Sequence, residues 1–371
     1  MNFRRFFSHG FALVVGLGIV GTLMGFLAAS SAAADWQAVV KAARAEGKVV
    51  VYGPHGSNIR DALTLSFRKA YPDIPLEFSG QQGGRLATKL LTERKGGKYI
   101  PDIVVIGTTT QYYIRTAGAI DPIRPFLVGP DIQEGKWMGG KFDFADEAST
   151  HNLTFVANSQ FPVAYNPDII DAKEIRSGKD LLHPKWKGKI TMRTPRLPGS
   201  GLALTIFWYS NPSFGKEFID ALFDQVAVFS RKDRQLVDWV AQGRYPIAIG
   251  VGLIAVTELM RKGVPITFFN KRNIKEGGYQ SAGQGSVSVV NRAPHPNAAK
   301  VYLNWLLSKA GQTVWSKTTN NVSRRLDVPK DHLPDFILPV EGVNYPLLHK
   351  SKYLEVRNQV QGYIKEKLKD R

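Results

Sequence analysis

The stretch of the sequence best suited to chemistry is Lys185–Thr205, where a predicted strand, loop and helix follow one another. The loop carries Arg193 and Arg196, and Ser200 and Gly201 open the predicted helix. The first backbone N–H groups of a helix have no internal partner and lie at the positive end of its dipole, so they favour anions. An ordinary capped helix on a surface turn would show the same residues. The stretch therefore indicates either an anion site or a helix cap.

Other polar or small residues lie in loops that follow predicted strands. Glycine lets a ligand approach the backbone, and an arginine fork binds carboxylate, phosphonate or sulfonate through two aligned hydrogen bonds. Structural roles stay open as well, since His55 could cap its loop and Arg85 could be solvated at a helix start. The candidate ligand-binding residues are His55, Gln82, Gly83, Arg85, Thr108, Thr109, Arg193, Arg196, Ser200, Gly201, Arg234 and Gly252.

The sequence lacks the motifs of common enzyme classes. It has no cysteine, which excludes disulfides, thiolate metal sites and a cysteine nucleophile. It has no G-x-S-x-G elbow and no Walker loop, and its seven histidines are isolated rather than spaced as in helical zinc motifs. A paired-carboxylate enzyme stays open, because such pairs form only on folding. We expect a binding protein with no catalytic residues and no resident cofactor or metal.

The 371-residue chain carries a formal net charge of +18. Its first 34 residues hold Arg4 and Arg5 and no acid, so the remainder has 47 basic and 31 acidic residues. Such basicity favours an anionic partner, although a solvated basic surface would give the same composition. Because the charges are spread along the chain rather than gathered in an arm, we do not expect nucleic acid as a partner.

Residues 1–34 have the pattern of an export signal. Two arginines precede the apolar run Phe11–Ala29, and Ala32–Ala34 gives a small-residue cleavage site. We expect cleavage near Asp35 and a periplasmic mature protein, with a retained anchor as the alternative and a possible twin-arginine export route. The G-x-G-x-x-G run at Gly16–Gly21 lies within this signal with no strand before it, so we do not interpret it as a dinucleotide site.

The first half of the remaining chain alternates strands and helices. Predicted strands are Lys48–Tyr52, Leu76–Ser79 and Asp102–Ile106, with helices between them and a loop at Gly107–Thr110. This alternation is typical of a parallel sheet with helices on both faces, in which ligands bind at the carboxyl ends of the strands. Residues 121–155 look irregular.

A second unit of the same kind follows an extended crossover at Phe161–Asn166. It contains a predicted strand at Lys187–Met192, a charged loop at Ser230–Arg234 and a strand at Ile247–Gly250. Gly283–Val290 is predicted to be an extended return segment, and Tyr353–Lys369 a charged terminal helix. The sequence thus predicts an α/β fold with two sheets.

Several short motifs together resemble a known family. They are KVVVYGPHG, PDIVVIGTTTQY, GAIDPI, FPVAYNPDII, HPKWKGKI, TPRLPGSG, QLVDWVAQGRYPIAIGVG and NAAKVYLNWLLSKAGQTVW. In order and spacing the chain resembles the periplasmic substrate-binding component of an ABC importer, in the type II two-lobed class that includes the ferric-iron-binding proteins. The resemblance implies two Rossmann-like lobes with mixed, mostly parallel sheets, joined by crossover strands and closing on one small ligand.

The resemblance also implies a domain division and partners. Lobe 1 would comprise residues 35–155 and about 285–315, and lobe 2 residues 156–284; the sequence leaves open whether residues 316–371 join lobe 2. A monomer would deliver a small anionic ligand to an inner-membrane permease and its ATPase. The alternative role is a ligand sensor that presents its loaded form to a membrane signalling receptor.

Individual positions match the family unevenly. By the resemblance, Ser200, Gly201 and Leu202 correspond to the loop that grips an anion in iron-binding relatives, and His55 lies near their metal-binding histidine. The adjacent tyrosines of those relatives are replaced by Leu253-Ile254, which offer no phenolate. Tyr112-Tyr113 lie on a predicted helix where neighbours point about 100° apart, so we interpret them as packing residues. Ferric iron therefore stays only as an alternative ligand.

Overall fold

The computed structural model of the chain describes residues 35–197 and 199–369. The predicted export signal, with its arginine pair and its G-x-G-x-x-G run, lies outside the described residues. None of the described helices combines the length and the apolar character needed to cross a membrane.

Strands and helices alternate as predicted. The helices are α1 (residues 35–46), α2 (Ser57–Ala70), α3 (Gly83–Lys95), α4 (Thr108–Thr116), α5 (Ser200–Ser210), α6 (Gly215–Gln225), α7 (Asp233–Ala241), α8 (Leu253–Arg261), α9 (Pro296–Leu307), α10 (Lys309–Thr319) and α11 (Tyr353–Lys367). The strands are β1 (Val49–Pro54), β2 (Leu76–Gln81), β3 (Ile103–Val105), β4 (Ile120–Asp121), β5 (Asp143–Phe144), β6 (Leu153–Thr154), β7 (Asn158–Gln160), β8 (Val163–Tyr165), β9 (Ile190–Arg193), β10 (Val226–Ser230), β11 (Ile247–Ile249), β12 (Thr267–Phe268), β13 (Tyr279–Ser281) and β14 (Ser286–Val290).

The first sheet has the strand order β2-β1-β3-β14-β6-β5, and β4 also pairs with β14. Strand β1 is buried along its whole length and pairs in parallel with β2 and β3. A strand covered on both faces is apolar throughout rather than alternating, which explains its Val-Val-Val-Tyr run. Strand β14 comes back from the second half of the chain and pairs antiparallel with β3, β4 and β6.

The second sheet has the order β10-β9-β11-β8-β12. Strand β9 is parallel to β10 and β11, whereas β8 is antiparallel to β11 and β12. The predicted α/β class with two mixed sheets is confirmed. Antiparallel pairing is more extensive than the alternation alone indicates, because each segment that crosses between the sheets adds an antiparallel strand to the sheet it reaches.

Two extended segments connect the lobes and pair with each other. Strand β7 is antiparallel to β13, with Gln160 opposite Tyr279. Gly278 permits this pairing, since a Cβ there would lie 2.4 Å from the carbonyl oxygen of Gln160. The crossover predicted at Phe161–Asn166 therefore begins earlier, because residues 163–165 already belong to the second sheet.

Each lobe has its own apolar core. In the first lobe Phe67 of α2 packs edge-on against Trp305 of α9, with 5.2 Å between ring centroids. In the second lobe Trp208 of α5 packs edge-on against Phe218 of α6 at 5.4 Å. Burying a large apolar side chain stabilises the fold by about 1.5–3 kcal/mol. The residue boundaries of the lobes stay a prediction.

Two predicted loops, Gly107–Thr110 and Ser230–Arg234, are partly helical. Helix α4 begins at Thr108, so Thr108 and Thr109 are helical. Helix α7 begins at Asp233, which places Arg234 in its first turn. Threonine and aspartate are weak helix formers, and the buried apolar face of each helix overrides that preference.

The C-terminal segment, residues 346–369, contacts both lobes. Its helix α11 packs against α5 through buried valine and isoleucine side chains. Before the helix, Lys350 Nζ donates to the carbonyl oxygen of Phe144 at 2.5 Å, and the backbone N–H of Ser351 donates to that of Ala145 at 2.9 Å. The terminal helix thus belongs with the second lobe, whereas the residues before it are fastened to the first.

Candidate functional site

A cavity of about 290 Å³ lies between the two lobes. Its walls come from the start of α4, the start of α5, the paired strands β7 and β13, and the C-terminal segment. Among the described residues that line it there is no aspartate or glutamate. The lining residues are Gly107, Thr108, Thr109, Gln160, Gly199, Ser200, Ala203, Ile206, Tyr279, Ser281, Gly283, Leu348, His349 and Arg357.

The first lobe contributes the amino end of α4 to the cavity. Thr108 and Thr109 form the first turn of this helix, which carries no acidic residue. One turn on, the fully buried amide of Gln111 donates to the carbonyl oxygens of Val104 at 3.1 Å and Ser286 at 3.2 Å. These bonds fix the helix start to the sheet. A fixed helix start with no acid nearby favours an anion at its N–H groups.

The second lobe contributes the amino end of α5. Ser200 Oγ donates to the carbonyl oxygen of Gly250 at 2.5 Å. Gly201 allows a close approach to β9, since a Cβ there would lie 2.4 Å from the carbonyl oxygen of Arg193. Leu202 lies in the apolar core of this lobe. The first turn of α5 also carries no acidic residue, so a second positive helix end lies at the cavity.

The arginines predicted for the site are paired or exposed. Arg193 forms an ion pair with Asp233, whose Oδ2 would lie 2.9 Å from a Cβ added at Gly252. Arg234 pairs with an aspartate one turn later in α7 at 2.9 Å, and Arg196 is exposed. A paired guanidinium would have to leave its carboxylate before it could bind a ligand. These residues do not line the cavity, and their part in binding stays a prediction.

The candidates from the loops after β1 and β2 do not line the cavity either, and their part in binding stays a prediction. His55, Gln82 and Arg85 are exposed. Gly83 packs against Thr110, whose Oγ1 would lie 2.4 Å from an added Cβ. Of the residues predicted from the sequence, the cavity therefore gathers the two threonines of α4 and the serine of α5.

A charged cluster that no sequence motif indicates lies behind the cavity wall. The side chain of His349 is 2% exposed, and its Nε2 lies 2.6 Å from Asp143 Oδ2. The same carboxylate is contacted by Lys350 at 2.5 Å and by Arg324 at 3.2 Å. Burial acts to raise the pKa of Asp143, but the His349 hydrogen bond and the charge of Arg324 outweigh it and hold that pKa well below its usual range. Burial also lowers the pKa of His349, despite its carboxylate partner, which favours a neutral ring.

Three residues of the wall hold polar atoms that are buried and have no hydrogen-bond partner within residues 35–197 and 199–369. These atoms are Nδ1 of His349, the hydroxyl oxygen of Tyr279 and Nε of Arg357. Leaving a buried polar group unpaired costs about 1–3 kcal/mol, and native structures usually supply a partner. A ligand in the cavity would supply one. No sequence motif marks these residues, since His349 and Arg357 belong to what looks like a plain charged tail.

A ferric ion finds few suitable ligands around this cavity. In the part of the chain that the structure describes, no three histidine, aspartate or glutamate side chains are grouped as metal ligands. Burial raises the pKa of Tyr279, which opposes formation of a phenolate. Position 254 is an isoleucine that is 63% exposed, and it offers no phenolate. Tyr113 is 54% exposed and its ring lies edge-on to that of Tyr112, with 5.7 Å between centroids, so the two tyrosines pack against each other at the surface.

Comparisons with known proteins give a consistent picture. Residues 62–336 match the family model described as bacterial extracellular solute-binding protein. An uncharacterized protein of Haemophilus influenzae (strain Rd) is 24% identical over 322 residues, which cover 83% of this chain and 87% of the relative.

Three solved structures are similar to this chain in fold. A Trichodesmium protein in complex with iron and citrate has a TM-score of 0.65 and 17% identity, covering 87% of this chain and 98% of that one. AfuA from Actinobacillus pleuropneumoniae with fructose-6-phosphate bound has a TM-score of 0.64 and 18% identity, covering 88% of this chain and 99% of that one. Iron-bound HitA from Pseudomonas aeruginosa has a TM-score of 0.62 and 18% identity, covering 84% of this chain and 99% of that one. At these identities the likeness shows a shared two-lobed fold and leaves the ligand open.

Proposed function

The chain belongs to the family of bacterial extracellular solute-binding proteins, and on that premise we propose that it captures a small anionic ligand between its two lobes. The observation that carries this proposal is the cavity between the lobes, whose described lining holds two helix starts and an arginine but no carboxylate. Each helix start contributes roughly half a positive charge. Because the donors come from both lobes, neither lobe alone should bind the ligand well.

The protein is a solute-binding component of an ABC transporter and hands its ligand to a membrane permease. We further propose that it acts as a monomer in the periplasm after cleavage of its export signal, and that the ATPase of the transporter drives import. The family consists of transport binding proteins, and we propose that this member has no catalytic activity.

The ligands named for the similar structures differ, since two hold iron and one holds a sugar phosphate. The cavity supports an anion better than a ferric ion. Its one tyrosine, Tyr279, is buried with a raised pKa, and the positive helix ends would repel a bare cation.

A charge placed in the cavity tests this proposal. Ligands are first found by thermal shift of the mature chain against inorganic anions, phosphonates, sulfonates, carboxylates, and ferric iron with and without citrate, because binding to the native state raises the melting temperature. Thr109→Glu should then lower the affinity for the anion found in this screen by at least about 10-fold, because the new carboxylate and the anion would repel each other at a separation of a few ångströms.

The matched control is Thr88→Glu, on the exposed side of α3. This variant carries the same new charge away from the cavity and should bind as the unmodified protein does. Equal binding by Thr109→Glu and Thr88→Glu would remove the start of α4 from the site. A thermal shift from ferric iron alone would overturn the anion proposal and leave the transport role in place.

A further inference from the structure

The C-terminal segment supplies part of the cavity wall from beyond the family match. The match ends at residue 336, whereas His349 and Arg357 line the cavity. Leu348 lies beside them in the wall and also belongs to the apolar core of the second lobe. These side chains therefore add to the cavity something that the matched region does not provide.

We propose that this segment is the specificity-determining wall of the cavity and that it selects a small organic dianion, a phosphate monoester or a phosphonate, that also carries a hydroxyl group. The inference rests on the proposed capture of an anion and deepens it by naming the ligand class. Arg357 and Tyr279 would donate to the anionic group, and His349 would accept from the ligand hydroxyl.

The charge around the cavity matches a dianion. The starts of α4 and α5 together contribute roughly one positive charge, and the guanidinium of Arg357 adds another. Arg357 forms no ion pair with a carboxylate among the described residues, so its charge is available to a ligand. Behind the wall, Asp143 is contacted by both Arg324 and Lys350, which leaves that cluster positive as well. Of the roughly two positive charges at the cavity itself, a monoanion would leave about one uncompensated in a partly dehydrated site.

The hydrogen-bond pattern adds the hydroxyl group. Nε2 of His349 lies 2.6 Å from a carboxylate that can only accept, so Nε2 carries the proton. In the neutral ring Nδ1 is then an acceptor, and it is buried without a partner within the described residues. A phosphate or phosphonate dianion has no proton to donate, whereas a hydroxyl group does. An acceptor that shares the cavity wall with the two donors Tyr279 and Arg357 therefore suits a ligand with both groups.

The test is calorimetric titration of the mature chain at pH 8, where phosphate monoesters are dianions. The probes are glycerol 1-phosphate, fructose 6-phosphate, propyl phosphate, 2-hydroxyethylphosphonate, gluconate and fructose. We expect the hydroxylated phosphorus compounds to bind, with gluconate and fructose at least about 10-fold weaker. Comparison of the esters with the phosphonate tells which of these two sources of the dianion is preferred.

Two variants separate the roles of the wall. Arg357→Gln should weaken binding of the dianion by about 10-fold or more, and Arg357→Lys should recover part of the lost affinity. Lys365 is an exposed lysine on the same helix, so Lys365→Gln should leave the affinity unchanged. His349→Gln keeps a donor for Asp143 but loses the Nδ1 acceptor. It should therefore abolish the preference for glycerol 1-phosphate over propyl phosphate, while the affinity for propyl phosphate stays the same.

The outcomes are distinguishable from failure of the proposed function. Tighter binding of gluconate or fructose than of every dianion would overturn the ligand class and leave capture between the lobes intact. Equal affinities for Arg357→Gln and Lys365→Gln would overturn the role of the segment. If no phosphorus compound binds, the dianion assignment is wrong, and the wider anion panel then decides the fate of the proposed function separately.

Discussion

Asp143→Asn tests whether one carboxylate fastens the C-terminal segment to the first lobe. The Asp143 side chain is 13% exposed and contacts Arg324, His349 and Lys350. Asparagine keeps the shape of the side chain but removes its charge. The variant therefore leaves the buried guanidinium of Arg324 and the ammonium group of Lys350 facing each other with no anion between them.

The expected loss follows from the burial of these groups. Removing one partner of a buried ion pair destabilises by about 3–5 kcal/mol, and the side chain of Arg324 is 8% exposed. Lys350 is 28% exposed and adds less, because water screens it. We expect a decrease of about 3–5 kcal/mol in the free energy of detaching residues 346–369, seen as lost hydrogen-exchange protection in that segment.

The matched control is Asp73→Asn, which breaks an ion pair with Arg44 whose side chains are 60% and 55% exposed. Exposed pairs contribute about 0–1 kcal/mol, so this variant should retain nearly all of its protection. A difference of less than about 1 kcal/mol between the two variants would refute the reasoning, because the carboxylate of Asp143 would then contribute no more than a surface charge.

The same carboxylate predicts an acid dependence. The pKa of Asp143 is held below its usual range, so its stabilising effect is complete above the unfolded value of about 3.9 and declines as the pH falls below it. Protection of residues 346–369 should therefore weaken in acid for the unmodified protein. It should change less for Asp143→Asn, and a parallel decline in both proteins would contradict the assignment.

Two further predictions concern the second lobe. Gly201→Ala should destabilise the protein by about 1–3 kcal/mol, because the added methyl would lie 2.4 Å from the carbonyl oxygen of Arg193. Its control is Gly84→Ala in α3, which has open space around it and should stabilise the protein by about 0.5–1 kcal/mol. Urea unfolding measures the stability of both variants. Lys271 is buried, donates to two carbonyl oxygens near residue 337, and burial lowers its pKa to about 8. Since the unfolded lysine titrates near 10.4, the free energy of unfolding should rise from about pH 8 to about pH 10. A Lys271→Met protein should lack that rise. A flat pH profile in the unmodified protein would contradict the prediction.

The periodic pattern of apolar residues predicted most of the fold. The runs that became β1, β9 and α5 are apolar because they are buried, so their position could be predicted to within a few residues. The two-residue strands β4, β5 and β6 are too short to show any alternation, so residues 121–155 looked irregular. Strand β10 was missed because its partly exposed residues give no clear pattern.

The site was predictable only where it follows buried strands. Thr108, Thr109 and Ser200 lie in the first turns of the helices that follow β3 and β9, and this order of elements is visible in the sequence. His349 reaches the wall through a contact with a residue 206 positions away, which no local pattern reports. Arg193 was predicted to bind the ligand but does not line the cavity. A carboxylate 40 positions away pairs with it on folding, and no local pattern reports that contact either.

The attachment of the C-terminal segment to both lobes bears on how long a bound ligand stays. For the ligand to escape, the starts of α4 and α5 must move apart, while α11 stays packed on the second lobe and Lys350 is bonded to the first. That motion has to break the bonds to Asp143 or pivot about them, so we expect these bonds to disfavour opening. The residence time is then set by this opening as well as by the contacts of the ligand. Asp143→Asn should accordingly release ligand faster in a stopped-flow chase, although Asp143 itself does not line the cavity.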